Sequence, residues 1–428
     1  MTGLLTALHA TVDGLCACCV FLMVSVLEFD VSIKFFLLYN ILAFLTQPLV
    51  GWWMDHHHFD VRYLILSVAL LLSGGALCLA NQATDWSYIP SIVVALIGTG
   101  NSIFHVYGGK RITDSTHNDI RHLGIFVSMG ALGLFLGERH SSEAGILLIS
   151  FLMASLTAVY LFRYRKGLPN AAKVTHKSES EIHLTQSSAK SLFAFILLIV
   201  FFRSFIGKMV PPGASADIPF FALFSVLIAV LGKALGGFIA LKIAEWRTLV
   251  ITLFLTGICF LLGHYAAVFI LLMMLFINFS MPITLHIANQ LLPRREGFAF
   301  GMLAAMLAPG VGLGIICTDN PWSYNLIYPL IATMVIEAIV LLCFHERRWE
   351  VLSLSVVMNI VTNLPLNLVA LFVLEDITIP MIILLEGIVF LVESWFYFLV
   401  THSWRKSITY SLACNLTSYL SGVLFQLL

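Results

Sequence analysis

Long apolar runs follow one another along almost the whole of this chain, separated mostly by short polar turns. A run of about 20 apolar residues is long enough to cross the hydrocarbon core of a bilayer, which is about 30 Å thick. Inside that core only helices and closed barrels satisfy their own backbone hydrogen bonds. Because these runs are continuously apolar rather than alternating, the sequence predicts an all-α integral membrane protein. A mean hydropathy of +0.96 agrees with this prediction.

The chain of 428 residues accommodates fifteen such spans. They cover residues 3–27, 33–54, 62–80, 87–107, 120–137, 142–162, 190–207, 216–241, 247–263, 265–291, 297–317, 322–343, 351–374, 378–400 and 407–428. If the N-terminus is cytoplasmic, most of the 23 Lys and Arg residues fall in connections on the cytoplasmic side, as the positive-inside rule requires. We therefore predict a multi-pass protein of the cytoplasmic membrane with a cytoplasmic N-terminus.

One long polar stretch divides these spans. Residues 164–189 are rich in Ser and charged side chains, a composition typical of a cytoplasmic linker. The linker separates six spans in residues 1–163 from six spans in residues 190–346. Residues 347–428 then form an additional module of three spans. The sequence thus predicts two six-helix bundles in a twelve-helix core with an appended module.

The two halves of the core carry related loops after their second span. The matching residues are Gly51, Asp55 and Arg62 in the first half, and Gly237, Lys242 and Arg247 in the second. This pattern resembles the loop signature of the major facilitator superfamily. There, the glycine allows close helix approach, and the aspartate lies near a helix end and pairs with basic groups to hold one gating state. The resemblance implies that these residues form a gating loop.

A second resemblance lies in the fourth and fifth spans. Residues 98–105 read Gly-Thr-Gly-Asn-Ser-Ile-Phe-His, and residues 124–137 carry four glycines. Both segments resemble the fosmidomycin-resistance-type exporters of the same superfamily, and the resemblance covers residues 1–345. It implies two pseudo-symmetric bundles, alternating access, and export of a small molecule against protons.

Ionisable residues inside spans are costly, at about 2.5–3.5 kcal/mol each on insertion scales, so they are candidate functional residues. His9 and Asp13 are four residues apart on the first helix, which places them on one face. A carboxylate beside a histidine suits proton coupling. The alternative is a polar contact that holds the first helix to its neighbours.

Polar residues also mark the fourth and tenth spans, at Asn101, His105 and His286. Contact with substrate, proton coupling and interhelical hydrogen bonding are all compatible with these positions. Pro282 is expected to break the tenth helix and free a carbonyl toward the cavity.

Arg203 lies late in the seventh span. Its guanidinium could bind a carboxylate or phosphonate of an anionic cargo through two hydrogen bonds. Alternatively, the side chain snorkels to the membrane interface.

Three carboxylates, Glu337, Glu386 and Glu393, lie in the last spans of the chain. They suit either hydrogen-bonded docking of the additional helices or a second proton path. The consecutive histidines 56–58 are adjacent on a loop and are not expected to converge on one metal ion, so no metal or cofactor is predicted.

These features favour a secondary active transporter for a small molecule, which is anionic if Arg203 binds the cargo. Proton-coupled efflux is the expected mode. Its predicted partners are the cargo, protons and the lipid bilayer, without nucleic acid, and the sequence leaves the oligomeric state open. A transporter-like sensor or scaffold is the alternative. A membrane enzyme is disfavoured, since no HExxH, GxSxG or nucleotide-binding loop occurs in the sequence.

Overall fold

We describe the protein from a computed structural model. The described residues are 1–25, 29–84, 89–164, 186–209, 220–263, 265–318, 322–346, 348, 351–352, 354–356, 358–359, 362 and 379–427. Residues 165–185 of the predicted linker and much of the span predicted at 351–374 lie outside them. The described part of the chain is helical and contains no strand, so the predicted all-α fold class is confirmed.

Sixteen α-helices are defined within the described residues. They are α1 (Thr2–Val24), α2 (Phe29–Asn40), α3 (Gln47–His56), α4 (Arg62–Thr84), α5 (Ile89–Thr116), α6 (Ile120–Arg139), α7 (Glu143–Tyr164), α8 (Gln186–Lys208), α9 (Phe221–Ile243), α10 (Glu245–Leu262), α11 (Ala267–Leu291), α12 (Glu296–Ala305), α13 (Leu307–Thr318), α14 (Trp322–Cys343), α15 (Ile379–Thr401) and α16 (Trp404–Leu427). Ten helical segments among them are long and apolar enough to cross a membrane. The chain is therefore a multi-pass membrane protein.

Several helices depart from the predicted spans. The second span is interrupted by a π-helical turn at Ile41–Leu45, and Pro48 stands in the first turn of α3. The eleventh span divides into α12 and α13 at Met306, and Pro309 then falls in the first turn of α13. A proline is tolerated there because its missing N–H has no intrahelical partner in a first turn.

The prediction that Pro282 breaks the tenth helix is wrong. The helix α11 runs from Ala267 to Leu291 with Pro282 inside it. Neighbouring helices in a membrane protein can compensate for the hydrogen bond that an internal proline removes, and α11 is packed in this way. The backbone beside Phe279 lies against Gly236 of α9.

Glycines set the crossing of α1 and α6. A Cβ atom at Gly133 would overlap the backbone carbonyl of Ala10, and one at Gly137 would overlap that of Gly14. Small residues at such crossings let two helix backbones approach directly. This approach brings α6 against the face of α1 that carries His9 and Asp13. A carboxylate oxygen of Asp13 lies 2.5 Å from the Cβ position of Gly130.

The chain packs into two compact units. Unit 1 comprises Met1–Lys208, Ile218–Ile243 and Ile277–Gly314, and unit 2 comprises Met209–Asp217, Ala244–Phe276 and Ile315–Leu428. Unit 1 contains every predicted site residue except Arg247. The predicted division into two six-helix bundles, a linker and a module stays a prediction.

Unit 2 is held together by two buried carboxylates. Glu337 of α14 accepts hydrogen bonds from Ser355 at 2.9 Å and Asn359 at 2.5 Å. Glu393 of α15 accepts one from Asn415 of α16 at 2.6 Å. These contacts join the last helix of the predicted core to the additional helices, which supports docking through Glu and Asn.

Between α14 and the additional helices, Glu346 accepts hydrogen bonds from Arg348 and Tyr410. The bonds from Arg348 hold the pKa of Glu346 at about 2, below its usual range. The carboxylate is thus ionised at neutral pH, and the connection carries a salt bridge at its centre.

The close crossing of α1 and α6 predicts that a methyl group added at Gly133 destabilises the protein. We expect Gly133→Ala to lower the free energy of unfolding by about 1–3 kcal/mol, because the new Cβ must displace the Ala10 backbone. Gly3→Ala is the matched control on α1, since nothing lies within 4 Å of its Cβ position. Thermal unfolding of the two purified variants in detergent measures the difference. Equal midpoints would show that the crossing is not tightly packed.

Candidate functional site

Three ionisable side chains from two helices meet inside unit 1. His9 Nε2 lies 3.2 Å from an Asp13 carboxylate oxygen, and His105 Nε2 lies 3.4 Å from the other. The two imidazoles also contact each other, with 2.9 Å between their Nε2 atoms. All three side chains are buried, at most a tenth exposed. We call His9, Asp13 and His105 the triad.

Backbone carbonyls fix the protonation of both imidazoles. His9 Nδ1 lies 2.8 Å from the carbonyl oxygen of Phe126, and His105 Nδ1 lies 3.0 Å from that of Asn101. A carbonyl oxygen only accepts, so each Nδ1 must carry the proton. In a neutral imidazole the Nε2 atom then presents a lone pair. Two lone pairs facing each other at 2.9 Å would repel, so this contact is favourable only when one of the two Nε2 atoms carries an additional proton.

Asn101 and Gly130 complete the surroundings of the triad. The Asn101 side chain donates a hydrogen bond to Asp13 at 3.1 Å, which fixes the carboxylate from the side of α5. Gly130 of α6 leaves the space on the opposite side open, since a Cβ there would lie 2.6 Å from His9 Nε2. The site is therefore built around one carboxylate and two imidazoles with room for little else.

The same donor atoms, all within 4.8 Å of one another, are of the type that binds transition-metal ions. The Nε2–Nε2 separation of 2.9 Å is a hydrogen-bond length, whereas two ligands on one tetrahedral metal ion stand farther apart at normal bond lengths.

One cation interacts with the triad, and a second interacts with that cation. Lys233 of α9 interacts electrostatically with Asp13, with His105 and with Arg203 of α8. Arg203 is 8% exposed, and one of its terminal guanidinium nitrogens is buried without a hydrogen-bond partner. The sequence predicts a role for Arg203 but none for Lys233, because a single lysine in an apolar span gives no signal of its neighbours.

A second cluster of charges joins α3 to α12. The Asp55 carboxylate accepts hydrogen bonds from the backbone N–H groups of Gly297 at 3.0 Å and Phe298 at 2.8 Å. These are unpaired donors at the N-terminus of α12, where a negative charge is stabilised by the helix dipole. Lys110 of α5 pairs with Asp55 at 2.9 Å and with Glu296 at 3.2 Å. We call Asp55, Lys110 and Glu296 the latch.

Of the predicted gating residues, Asp55 and Gly51 lie in this contact, since a Cβ at Gly51 would overlap the Gly297 carbonyl. Gly237 lies against the start of α6, with its Cβ position 2.5 Å from the Ile120 carbonyl oxygen. Arg62 does not join the latch: it pairs with Asp60 and is 88% exposed. Lys242 and Arg247 are exposed.

The structure places His286 outside the triad. Its Nδ1 lies 2.7 Å from the carbonyl oxygen of Asn118, and its Nε2 lies 2.8 Å from the Gln290 amide. Asn289 of the same helix donates to the Asn118 side chain at 2.9 Å. These contacts tie α11 to the turn between α5 and α6.

Sequence reasoning missed Lys110 and Glu296. Lys110 was assigned to a loop because the predicted span ended at residue 107, whereas α5 continues to Thr116 and buries the lysine. Glu296 follows a short connection and begins α12. A signal was available, because an acidic residue at a helix start commonly marks its N-terminus.

Solved structures show the fold of the chain. One structure of the Escherichia coli fucose:proton symporter FucP matches with a TM-score of 0.57 and 11% identity over 74% of this chain and 91% of that one. A second structure of FucP, described as a major facilitator superfamily transporter in the outward conformation, matches with the same score and identity over 83% and 98%. No protein-family model and no curated protein matches the chain. The fold is therefore similar to that of FucP.

The latch predicts a change in access. We expect Asp55→Asn to weaken the contact between α3 and α12, because the variant loses the ion pair with Lys110 and the charge at the α12 N-terminus. A cysteine introduced at Thr113, which is buried, should then react at least several-fold faster with a maleimide. Asp60→Asn is the control, since its pair with exposed Arg62 should contribute about 0–1 kcal/mol. Unchanged labelling in Asp55→Asn would contradict a gating role.

Proposed function

We propose that this protein is a proton-coupled secondary transporter that moves a small molecule across the cytoplasmic membrane. The triad is its proton site. The observation that carries the proposal is the contact of 2.9 Å between two imidazole nitrogens whose partner nitrogens already donate to carbonyls. Such a contact forms when one proton is bound and is repulsive when that proton leaves.

The loss of the proton gives the site two states. In the protonated state, a positive charge shared by the imidazoles is balanced by Asp13. In the deprotonated state, the carboxylate is uncompensated within the triad, and the rings separate or turn. Because His9 and Asp13 lie on α1 and His105 on α5, this change acts directly on the packing of two helices.

The latch supplies the gate in this proposal. It lies at the helix ends that the distribution of Lys and Arg predicts to be cytoplasmic, and it holds α3 against α12 there. Opening requires Asp55 to leave the α12 N-terminus and Lys110 to leave two carboxylates. A transporter with this arrangement alternates between a state closed at the latch and a state open there.

Two directions of coupling are considered. Efflux in exchange for protons follows from the resemblance to fosmidomycin-resistance-type exporters. Cotransport is the second candidate, since the structural neighbour FucP is described as a proton symporter. A sensor or scaffold with the same fold would keep its function when the triad is removed. We do not propose an enzyme.

Transport by the reconstituted protein tests the triad. In proteoliposomes with an entrapped pH dye, we expect a panel of small carboxylates, phosphonates, sugars and antibiotics to contain a cargo that changes the internal pH. His105→Gln and Asp13→Asn should each reduce this proton movement at least tenfold, because the first removes one of the two imidazoles that share the proton and the second removes the carboxylate that balances its charge.

His140→Gln is the matched control, since His140 is exposed at the end of α6. Cargo flux that is equal with and without a pH gradient would refute proton coupling. Full proton movement in both triad variants would remove the triad from the mechanism.

A further inference from the structure

Arg203 is a buried cation with no counter-ion among the residues that the structure describes. It is 8% exposed, one terminal nitrogen has no hydrogen-bond partner, and no described residue forms an ion pair with it. Snorkelling would place the end of the guanidinium at the membrane interface, but that nitrogen is buried. An unpaired charge in an apolar interior is strongly unfavourable, so the site lacks an anion.

Lys233 adds a second positive charge near Arg203. It lies near enough to Arg203 for the two charges to repel each other. The acidic side chain that interacts with Lys233 is Asp13, which is already in contact with two imidazoles. Lys233 thus shares the carboxylate of the triad with two imidazoles, and Arg203 has no carboxylate among the described residues.

We propose that Arg203 and Lys233 bind the anionic group of the cargo, a carboxylate, phosphonate or sulfonate, and that the anion and the proton are carried together. This inference rests on the proposed function. The planar guanidinium presents parallel N–H groups that match two oxygens of such an anion, and the ammonium adds a point charge.

The direction of coupling follows from the charges. When the triad is deprotonated, the Asp13 carboxylate offsets part of the positive potential of Lys233, which lies beside Arg203. A proton on the triad cancels that carboxylate, so an anion near the two cations is held more strongly. Linkage is reciprocal, so the anion raises the affinity of the triad for its proton by the same factor.

Such mutual strengthening favours cotransport over exchange. In an exchanger, proton and cargo must weaken each other's binding, which an anion beside this triad does not do. The other titratable groups that face Asp13 are Cys16 on α1 and Tyr39 on α2. Both are neutral at the pH values where a histidine pair exchanges protons, so they leave the sign unchanged.

Anion binding to the detergent-purified full chain tests this proposal. The probes are methanesulfonate, which keeps its charge between about pH 5.5 and 7.5, the working range for histidine, and dimethyl sulfone as its uncharged analogue. Thermal unfolding is measured at constant ionic strength. We expect methanesulfonate but not the sulfone to stabilise the protein, with at least several-fold higher affinity at the lower pH.

Substitutions locate the site. Arg203→Gln and Lys233→Gln should each weaken anion binding at least tenfold, and Arg203→Lys should recover only part of the loss. Lys208→Gln is the control, an exposed cation at the end of the same helix. Without anion, Arg203→Gln should unfold at the same or a higher temperature than the parent protein, because it removes an uncompensated charge. The double variant His9→Gln, His105→Gln should abolish the pH dependence of anion binding, because no imidazole of the triad is then left to take up a proton.

Three results would overturn the inference: equal binding by Arg203→Gln and Lys208→Gln, weaker binding at low pH, or marked destabilisation of Arg203→Gln without anion, which indicates a structural role. The proposed function fails separately. Anion binding without proton movement in proteoliposomes would leave the anion site in place and refute proton-coupled transport. Proton-driven movement of a neutral cargo would leave proton-coupled transport in place and refute the anion site.

Discussion

The contact between two imidazoles and one carboxylate is the interaction on which this structure depends. In lipid no water is available to solvate a polar side chain, so each buried polar group requires a partner within the protein. His9, Asp13 and His105 meet that requirement mutually, with carbonyls of Phe126 and Asn101 as the outer partners. The glycines of α6 make the arrangement possible, because they let that helix approach α1 closely enough to supply the Phe126 carbonyl.

Much of this was accessible from the sequence. Apolar length and continuity predicted the membrane helices, and the spacing of His9 and Asp13 predicted their shared face. His105 was a candidate because a polar residue inside an apolar span requires a polar partner. The proposed proton site was not predictable, because it depends on where two backbone carbonyls lie relative to two rings. Sequence patterns describe side chains along one helix and carry little information on the carbonyls of another.

The latch shows a different limit. The loop resemblance identified Asp55 and its role near a helix end, and the structure places Asp55 at the N-terminus of α12. Its basic partner is Lys110 rather than Arg62. The difference arises because α5 extends well beyond the apolar run, since a helix that is packed in protein continues past the membrane core. Hydropathy marks where lipid ends and does not mark where a helix ends.

A site that stores a single proton also limits the work available from it. One proton crossing a gradient of one pH unit releases about 1.4 kcal/mol, which sustains about a tenfold difference in cargo concentration. The short distance between the two rings leaves no place for a second positive charge beside the first. If the triad carries one proton in each cycle, as proposed, a pH gradient alone sustains only this modest accumulation, whatever molecule the protein carries.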